Sequence, residues 1–255
     1  TVNMAHGSLY LLGAYLSYSI WNATGENWIV ALVAAPLITA VFGILMQQFF
    51  LRRIAGQDLR EALVTIAISI IVADLLLARY GGQNYLVNPP QFLLGATRIE
   101  IGNFFIVYPT FRLFTLGSAI FVGIVLWYIV QRTRLGIVIR AGIDDDQMVG
   151  VLGYDINRLF MVVFGIGAFL AGLAGMYGIT TLSVSPGDDG TYLLASLIVV
   201  IVGGMGSLGG AALGAVLVGL AQQYGLAYVP TYASLITFAI MTLVLAVRPQ
   251  GLLRS

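Results

Sequence analysis

The chain has no cysteine, no lysine and one histidine among its 255 residues. Without cysteine there is no disulfide, no thiolate metal site and no cysteine nucleophile. Without lysine there is no P-loop lysine and no Schiff-base chemistry. Charge of either sign is scarce: 12 arginines against 11 acidic residues leave a net charge of +1. That balance gives no electrostatic footprint for nucleic acid, which is excluded as a partner. Only 9% of the residues are charged and 59% are apolar, against roughly 25% charged in an ordinary soluble domain. Mean hydropathy is +0.95. So few ionised groups cannot cover a water-exposed surface of this size, and membrane lipid is the expected solvent.

What the chain does have is a series of apolar stretches near the length needed to cross a core of ~30 Å. They run over about 7–21, 28–50, 60–79, 112–131, 158–180, 191–204, 208–226 and 232–247. The expected fold is an all-α polytopic membrane protein, a bundle of about eight visible transmembrane segments forming one transmembrane domain over 1–255. The first and sixth stretches are short for a full span and read as broken helices buried among neighbours. The start, "TVNMAHGSLY", lacks a basic n-region and an initiator Met, so it does not read as a cleaved signal peptide. The expectation is a chain that begins mid-protein, with one further segment ahead of it.

Arginine placement orients the segments. Arg52, Arg53 and Arg60 share one loop, Arg132, Arg134, Arg140 and Arg158 flank or occupy a second, and Arg248 and Arg254 follow the last span. The positive-inside rule assigns these three to the cytoplasm. The loops at 80–111, 181–190 and 227–231 then face outside, and the topology of residues 1–27 stays open. The 80–111 loop is polar and broken by proline, and its tail alternates at Ile99, Ile101, Phe104 and Ile106. A small external hairpin and a packed surface loop fit that pattern equally.

"LLASLIVVIVGGMGSLGGAALGAVLVGLAQQ" contains a formal G-x-G-x-x-G at Gly204, Gly206 and Gly209. A dinucleotide site needs an acidic residue about 20 positions further on for the ribose, and no Asp or Glu follows Asp189. In a bilayer the glycines have another use, because helices there associate through small residues spaced four apart. Gly206, Gly210 and Gly214 keep that spacing, as do Gly167, Ala171 and Gly175. The doublets Gly203–Gly204 and Gly209–Gly210 are denser than packing requires. Each interior glycine costs about 1 kcal/mol against alanine, so they predict a helix break of the kind that lines transport paths. "GSLYLLGAY" near the start offers a short match to "GSLGGAALGAV", a hint of an internal repeat.

Few residues could carry chemistry. His6, beside Asn3 and Gly7, either meets a polar solute or fixes a helix end. Asp74 lies within an apolar run about one turn from the outer rim; an intramembrane carboxylate is a functional candidate by default, with exposure at the interface or Arg79 as the plainer account. Asp144, Asp145 and Asp146 invite a metal reading, but consecutive carboxylates on a helix diverge by about 100° each. They fit the first turn of a short helix better, "DDDQMVGVLG", closed at or just before Gly153. Nothing pairs a nucleophile with a base or clusters metal ligands; no enzyme, cofactor or metal site is expected.

"VNMAHGSLYLLGAY", "RAGIDDDQMVGVLGYDINRLF", "GAFLAGLAGMYG", "IVVIVGGMGSLGGAALGAVLVG" and the terminal "VRPQGLL" together resemble permease subunits of branched-chain amino acid ABC importers. The resemblance runs over nearly the whole chain in order and spacing. It implies a type II ABC importer-like bundle in a bacterial-type inner membrane. Its implied partners are a sister permease or second copy, two cytoplasmic ATPase subunits and an extracytoplasmic solute-binding protein. It also implies that the 132–157 loop carries a cytoplasmic helix seated on the ATPase, with Arg140, Ala141, Asp144, Asp145, Asp146, Gly150 and Gly153 at the matching positions. ATP would be hydrolysed on those partners, and this subunit would move branched-chain or other hydrophobic amino acids by alternating access. Asn3, His6, Gly7, Asp74, Gly204 and Gly206 are the expected path residues. The alternatives are a permease for urea or short amides, a self-sufficient secondary transporter or channel, and a structural scaffold. The transporter alternative calls for several intramembrane acids or histidines, and here only Asp74 and His6 qualify.

Overall fold

The structure is a computed structural model, and it describes residues 3–101, 104–144, 146–151 and 153–253. Among these are ten α-helices and one hairpin. In chain order they are α1 (His6–Ala23), α2 (Trp28–Phe49), α3 (Asp58–Tyr80), β1 (Ala96–Ile101), β2 (Phe104–Pro109), α4 (Thr110–Arg132), α5 (Arg134–Asp144), α6 (Asp146–Val151), α7 (Ile156–Thr181), α8 (Asp189–Gly203), α9 (Leu208–Tyr228) and α10 (Ala233–Val247). The chain forms two compact units, Thr1–Gly190 and Thr191–Ser255.

Local chemistry sets several helix starts. Asn27, Asp155 and Ser207 each precede a helix, and their side-chain oxygens accept the backbone N–H of Val30, Arg158 and Gly210 at 3.2, 3.2 and 3.0 Å. Each satisfies one of the orphan donors of a helix N-terminus. Five helices are long and apolar enough to cross a bilayer: α2, α3, α4, α7 and α9. At 18, 15 and 15 residues, α1, α8 and α10 are shorter, about 27 and 22 Å at 1.5 Å per residue.

In the first unit α1, α2 and α7 pack on one another, and α3 lies against α1. Small residues make this close contact possible. A Cβ added at Gly13 of α1 would run into the backbone of Gly172 on α7, and one at Gly43 of α2 into the Ala168 side chain. Gly172 itself faces Thr39 and Pro36 of α2, and Gly175 faces the Tyr10 carbonyl of α1. The contacting stripe on α7 is therefore Gly165, Ala168, Gly172 and Gly175, at steps of three, four and three. Gly167, expected in that stripe, meets nothing within 4 Å. Four residues advance a helix by about 40° beyond one full turn, so a strict i, i+4 series drifts off the interface while a 3-4-3 series stays on it.

The helix ends sort into two levels, which also settles the direction of α1. At one level Ala5 packs with Met46 and Leu51, against Ile54, Val64, Ile68 and Phe164. The loop with Arg52, Arg53 and Arg60 leaves from here. At the other level the Trp28 indole N–H donates to Thr180 Oγ1 at 3.2 Å. Its ring also meets Phe111 and Phe114 at 5.8 and 5.9 Å. Thus α1, α3 and α7 run from the arginine-rich end to the opposite end, and α2 and α4 run back.

The hairpin over 96–109 forms, with Ala96 paired to Pro109 and Arg98 to Val107. The Arg98 guanidinium lies 4.0 Å from the Phe105 ring centroid, and this contact ties the strands together on one face. One element was not expected: α5 occupies 134–144, where only the acidic stretch after it was read as helical. Its β-branched "IVI" and two glycines give little helix propensity, so packing rather than composition makes this helix.

Candidate functional site

The N-terminal end of α1 is fixed from three directions. Asn3 Oδ1 accepts the Ala5 N–H at 3.0 Å, the Met4 N–H donates to Thr65 Oγ1 of α3 at 3.3 Å, and Ser8 Oγ donates to the Ala5 carbonyl at 2.9 Å. His6 opens the helix half-buried, and Gly7 is buried behind it. Asn3, His6 and Gly7 thus share the start of α1, which the Met4 N–H ties to Thr65. Asp74 lies nine positions further along α3, about 13 Å away along the axis, so the structure does not bring it to His6.

Asp74 is exposed, on a face of α3 it shares with Leu63, Ile70, Ile71 and Leu75, all more than half exposed. Among the described residues it has no ion pair or hydrogen bond, and Arg79 instead lies over the Tyr80 ring at 5.5 Å. A carboxylate costs about 2.5–3.5 kcal/mol against lipid at a helix centre; Asp74 stands nearer the outer end of α3, which spans Asp58–Tyr80.

At the arginine-rich end, α4 turns sharply into α5. Gly136 is required there, since a Cβ would run into the carbonyls of Ile129 and Val130. Arg140 reaches back across the corner and donates to the Val130 carbonyl and to Gln131 Oε1. Its guanidinium thus occupies one carbonyl that the end of α4 leaves free. Ala141 is exposed. Asp144 ends α5 and Asp146 begins α6, while Asp145 lies outside the described residues. Gly153 takes φ 87°, with its N–H on the Gly150 carbonyl at 3.0 Å and the Tyr154 N–H on the Val149 carbonyl at 3.3 Å. This pair of bonds is a Schellman stop. A Cβ added at Gly142 would crowd the Leu159 side chain of α7, so the corner lies close against the next long helix as well.

In the second unit the glycine-rich break is the turn between α8 and α9. Gly204 and Gly206 have φ 104° and 87°. Gly206 therefore precedes α9 instead of lying on its packing face, and the contact with α8 is made by Gly210 and Gly214 against Gly203 and Val199. The C-terminal tail docks on this turn. The N–H groups of Leu252 and Leu253 donate to the carbonyls of Val202 and Gly203 at 2.9 and 3.1 Å. Ser207 caps α9, whereas Ser8 lies inside the first turn of α1, so the two matched "GSL" strings do different work.

Set against known proteins, residues 1–245 match the family described as branched-chain amino acid transport system, permease component. The chain belongs to that family. The permease is 28% identical over 272 aligned residues to the high-affinity branched-chain amino acid transport system permease protein LivH of Salmonella typhimurium, covering 99% of this chain and 85% of LivH. It is 26% identical over 270 to BraD of Pseudomonas aeruginosa, covering 99% and 85%. It is 30% identical over 274 to LivM of Salmonella typhimurium, covering 98% of this chain and 63% of LivM. No solved structure matches. The protein is the non-catalytic, multi-pass inner-membrane component of an ABC transport system.

One feature of the permease escaped the sequence. At the end opposite the arginine-rich loops, Tyr15 and Tyr80 lie with ring centroids 4.6 Å apart, and Tyr85 meets Tyr15 and Tyr18 at 5.7 and 4.6 Å. Tyr80 Oη donates to the Tyr15 carbonyl at 3.3 Å, and Tyr85 Oη to the Tyr80 carbonyl at 2.7 Å. The segment after α3 is held down by a bridge between Tyr85 and Val184. Tyr15 Oη is buried with no hydrogen-bond partner among the described residues. Tyrosines from a helix, the end of another and a loop share no sequence spacing, so only the fold brings them together.

Proposed function

We propose that this chain is one half of the transmembrane pathway of an ATP-driven importer for branched-chain or similar hydrophobic amino acids. It works by alternating access. It would pair with a sister permease or a second copy, receive solute from an extracytoplasmic binding protein and be driven by two ATPases at its arginine-rich, cytoplasmic end. The observation that carries this is the corner formed by α4, α5 and α6. It is locked to α4 through Arg140 and Gly136 and lies close against α7 at Gly142. A push on α5 and α6 therefore reaches two long helices as a unit. The arrangement supports a coupling role for Arg140, Ala141, Asp144, Asp145, Asp146, Gly150 and Gly153, with Arg140 acting as a positioning residue. Asp74, on the unpartnered face of α3, is the residue of this unit best placed to line the pathway or its interface.

The test is retention of ATPase subunits when the chain is purified from membranes. Arg140→Ala is expected to lower retention about tenfold, the weight of a lost charge-assisted hydrogen bond of about 1.5 kcal/mol. Replacing Asp144, Asp145 and Asp146 together by asparagine is expected to do at least as much. Uptake of leucine, with valine and urea as competitors, reads the solute. The proposal fails if the variants keep ATPases and transport intact, or if purified chain alone moves solute down an ion gradient.

A separate expectation concerns Asp74. Asp74→Leu should leave the level of folded protein unchanged, because no described residue pairs with the carboxylate. Leucine uptake should fall about tenfold, if the group contributes about 1.4 kcal/mol to a polar surface it faces. Unchanged uptake with a higher yield of inserted protein would place Asp74 at the lipid boundary instead.

A further inference from the structure

Between α4 and α7, with Ile44 of α2 at its floor, runs an open groove of about 490 Å³. Phe121, Val125 and Ile129 line it from α4, and Val162, Ile166 and Leu170 from α7. The end opposite the arginine-rich loops is closed by the rings of Trp28, Phe111, Phe114 and Tyr177, with centroids 5.8 to 6.4 Å apart. Successive positions on one helix face are three or four apart. The stripe Phe121, Val125, Ile129 therefore continues to Arg132, and the α7 stripe through Val162 leads back to Arg158. Each wall of the groove ends in an arginine, one turn beyond the last apolar residue.

We infer that this groove is a site for an anionic phospholipid, with an acyl chain between α4 and α7 and its phosphate at Arg132 and Arg158. A partner helix is the poorer occupant, because close helix approach in a bilayer relies on small residues. The α4 wall is branched and aromatic, Gly117 and Gly123 of α4 are outside the lining, and Gly165 of α7, which is in it, faces Ile44 of α2. Basic positions between transmembrane helices at the cytoplasmic side are suited to anionic head groups. The Arg132 guanidinium lies 5.9 Å from the ring centroid of Trp127, a residue outside the lining, so Arg132 must turn from that ring to meet a phosphate. Arg158 pairs with Asp155 at 3.0 Å on the surface, a contact weak enough for a phosphate to share.

Photolabelling of the assembled permease in liposomes tests this, using phosphatidylglycerol with a diazirine on one acyl chain. Peptides covering 121–129 and 162–170 should be labelled above the exposed α3 face at 66–77. Unlabelled phosphatidylglycerol should compete about tenfold better than phosphatidylcholine, since each surface arginine contributes roughly fivefold and Arg158 is shared with Asp155. The double variant R132Q/R158Q, at exposed positions, should remove that preference while labelling persists; V125W should remove the labelling. Labelling no higher than on α3, indifference to the head group, or a photoreactive residue at position 125 that cross-links to protein would each overturn the site.

Discussion

Gly172→Leu is expected to leave little folded permease in the membrane. Gly172 sits where α7 meets α1 and α2 at once: its Cβ direction is filled by Thr39 at 2.8 Å and by Pro36 Cα at 3.0 Å, and Gly13 of α1 abuts its backbone. Backbone atoms cannot swing aside as a side chain can. Overpacking a tight core typically costs 1–3 kcal/mol, and here two helices must separate, so a loss of at least about 3 kcal/mol is expected. Detergent-solubilised yield and thermal unfolding measure it. Gly167→Leu on the same helix is the control, expected within about 0.5 kcal/mol because nothing lies within 4 Å of its Cβ direction. Equal losses at both positions would mean that added bulk anywhere on α7, not the packed stripe, sets the cost, since leucine is the better helix former at either position.

Gly204→Val is the second large effect, in the other unit. A side chain there must adopt φ 104°, and its Cβ would meet the carbonyls of Leu253 and Gln250. The tail would be displaced, stripping the N–H donors of Leu252 and Leu253 from the last carbonyls of α8. Each unsatisfied buried carbonyl costs about 1–3 kcal/mol, so a loss of about 3–5 kcal/mol is expected once backbone strain is included. Deleting residues 250–255 should lower the unfolding temperature comparably. Combining the two should add little, as for residues that act on one contact. Additive effects, or a stable deletion variant that fails only in transport, would instead assign Gly204 to the solute path proposed from the sequence.

These two sites show how far glycine spacing could be read. That small residues on α7 pack against other helices follows from composition, but which ones do so depends on the 3-4-3 register. The i, i+4 reading chose Gly167, which faces open space, together with Ala171 and Gly175, which are buried in the contact, and passed over Gly165, Ala168 and Gly172. The break at Gly203–Gly204 was legible from its doublet, but the Gly209–Gly210 doublet, read the same way, lies unbroken in the first turn of α9. The occupant of the break was not legible: the docking of "PQGLL" joins residues nearly fifty positions apart. At the candidate coupling site the Gly153 stop was legible from local chemistry, whereas α5 was invisible. Its stability comes from Arg140 and Gly136 meeting the end of α4, a contact that weak propensity does not announce.

By itself the sequence determined the solvent and the span pattern: so little charge and so many long apolar stretches admit no aqueous fold, and backbone hydrogen bonding in lipid leaves helices as the form for such stretches. The positions of the arginines further grouped the helix ends, since neighbouring spans alternate in direction. Only the tertiary structure decided the direction of α1, the stripe of α7 that is buried, the tyrosine cluster and the exposed face bearing Asp74. Each of these depends on which residues from distant segments come within contact distance, and helical periodicity fixes a residue's angle about its own axis but not what stands opposite it.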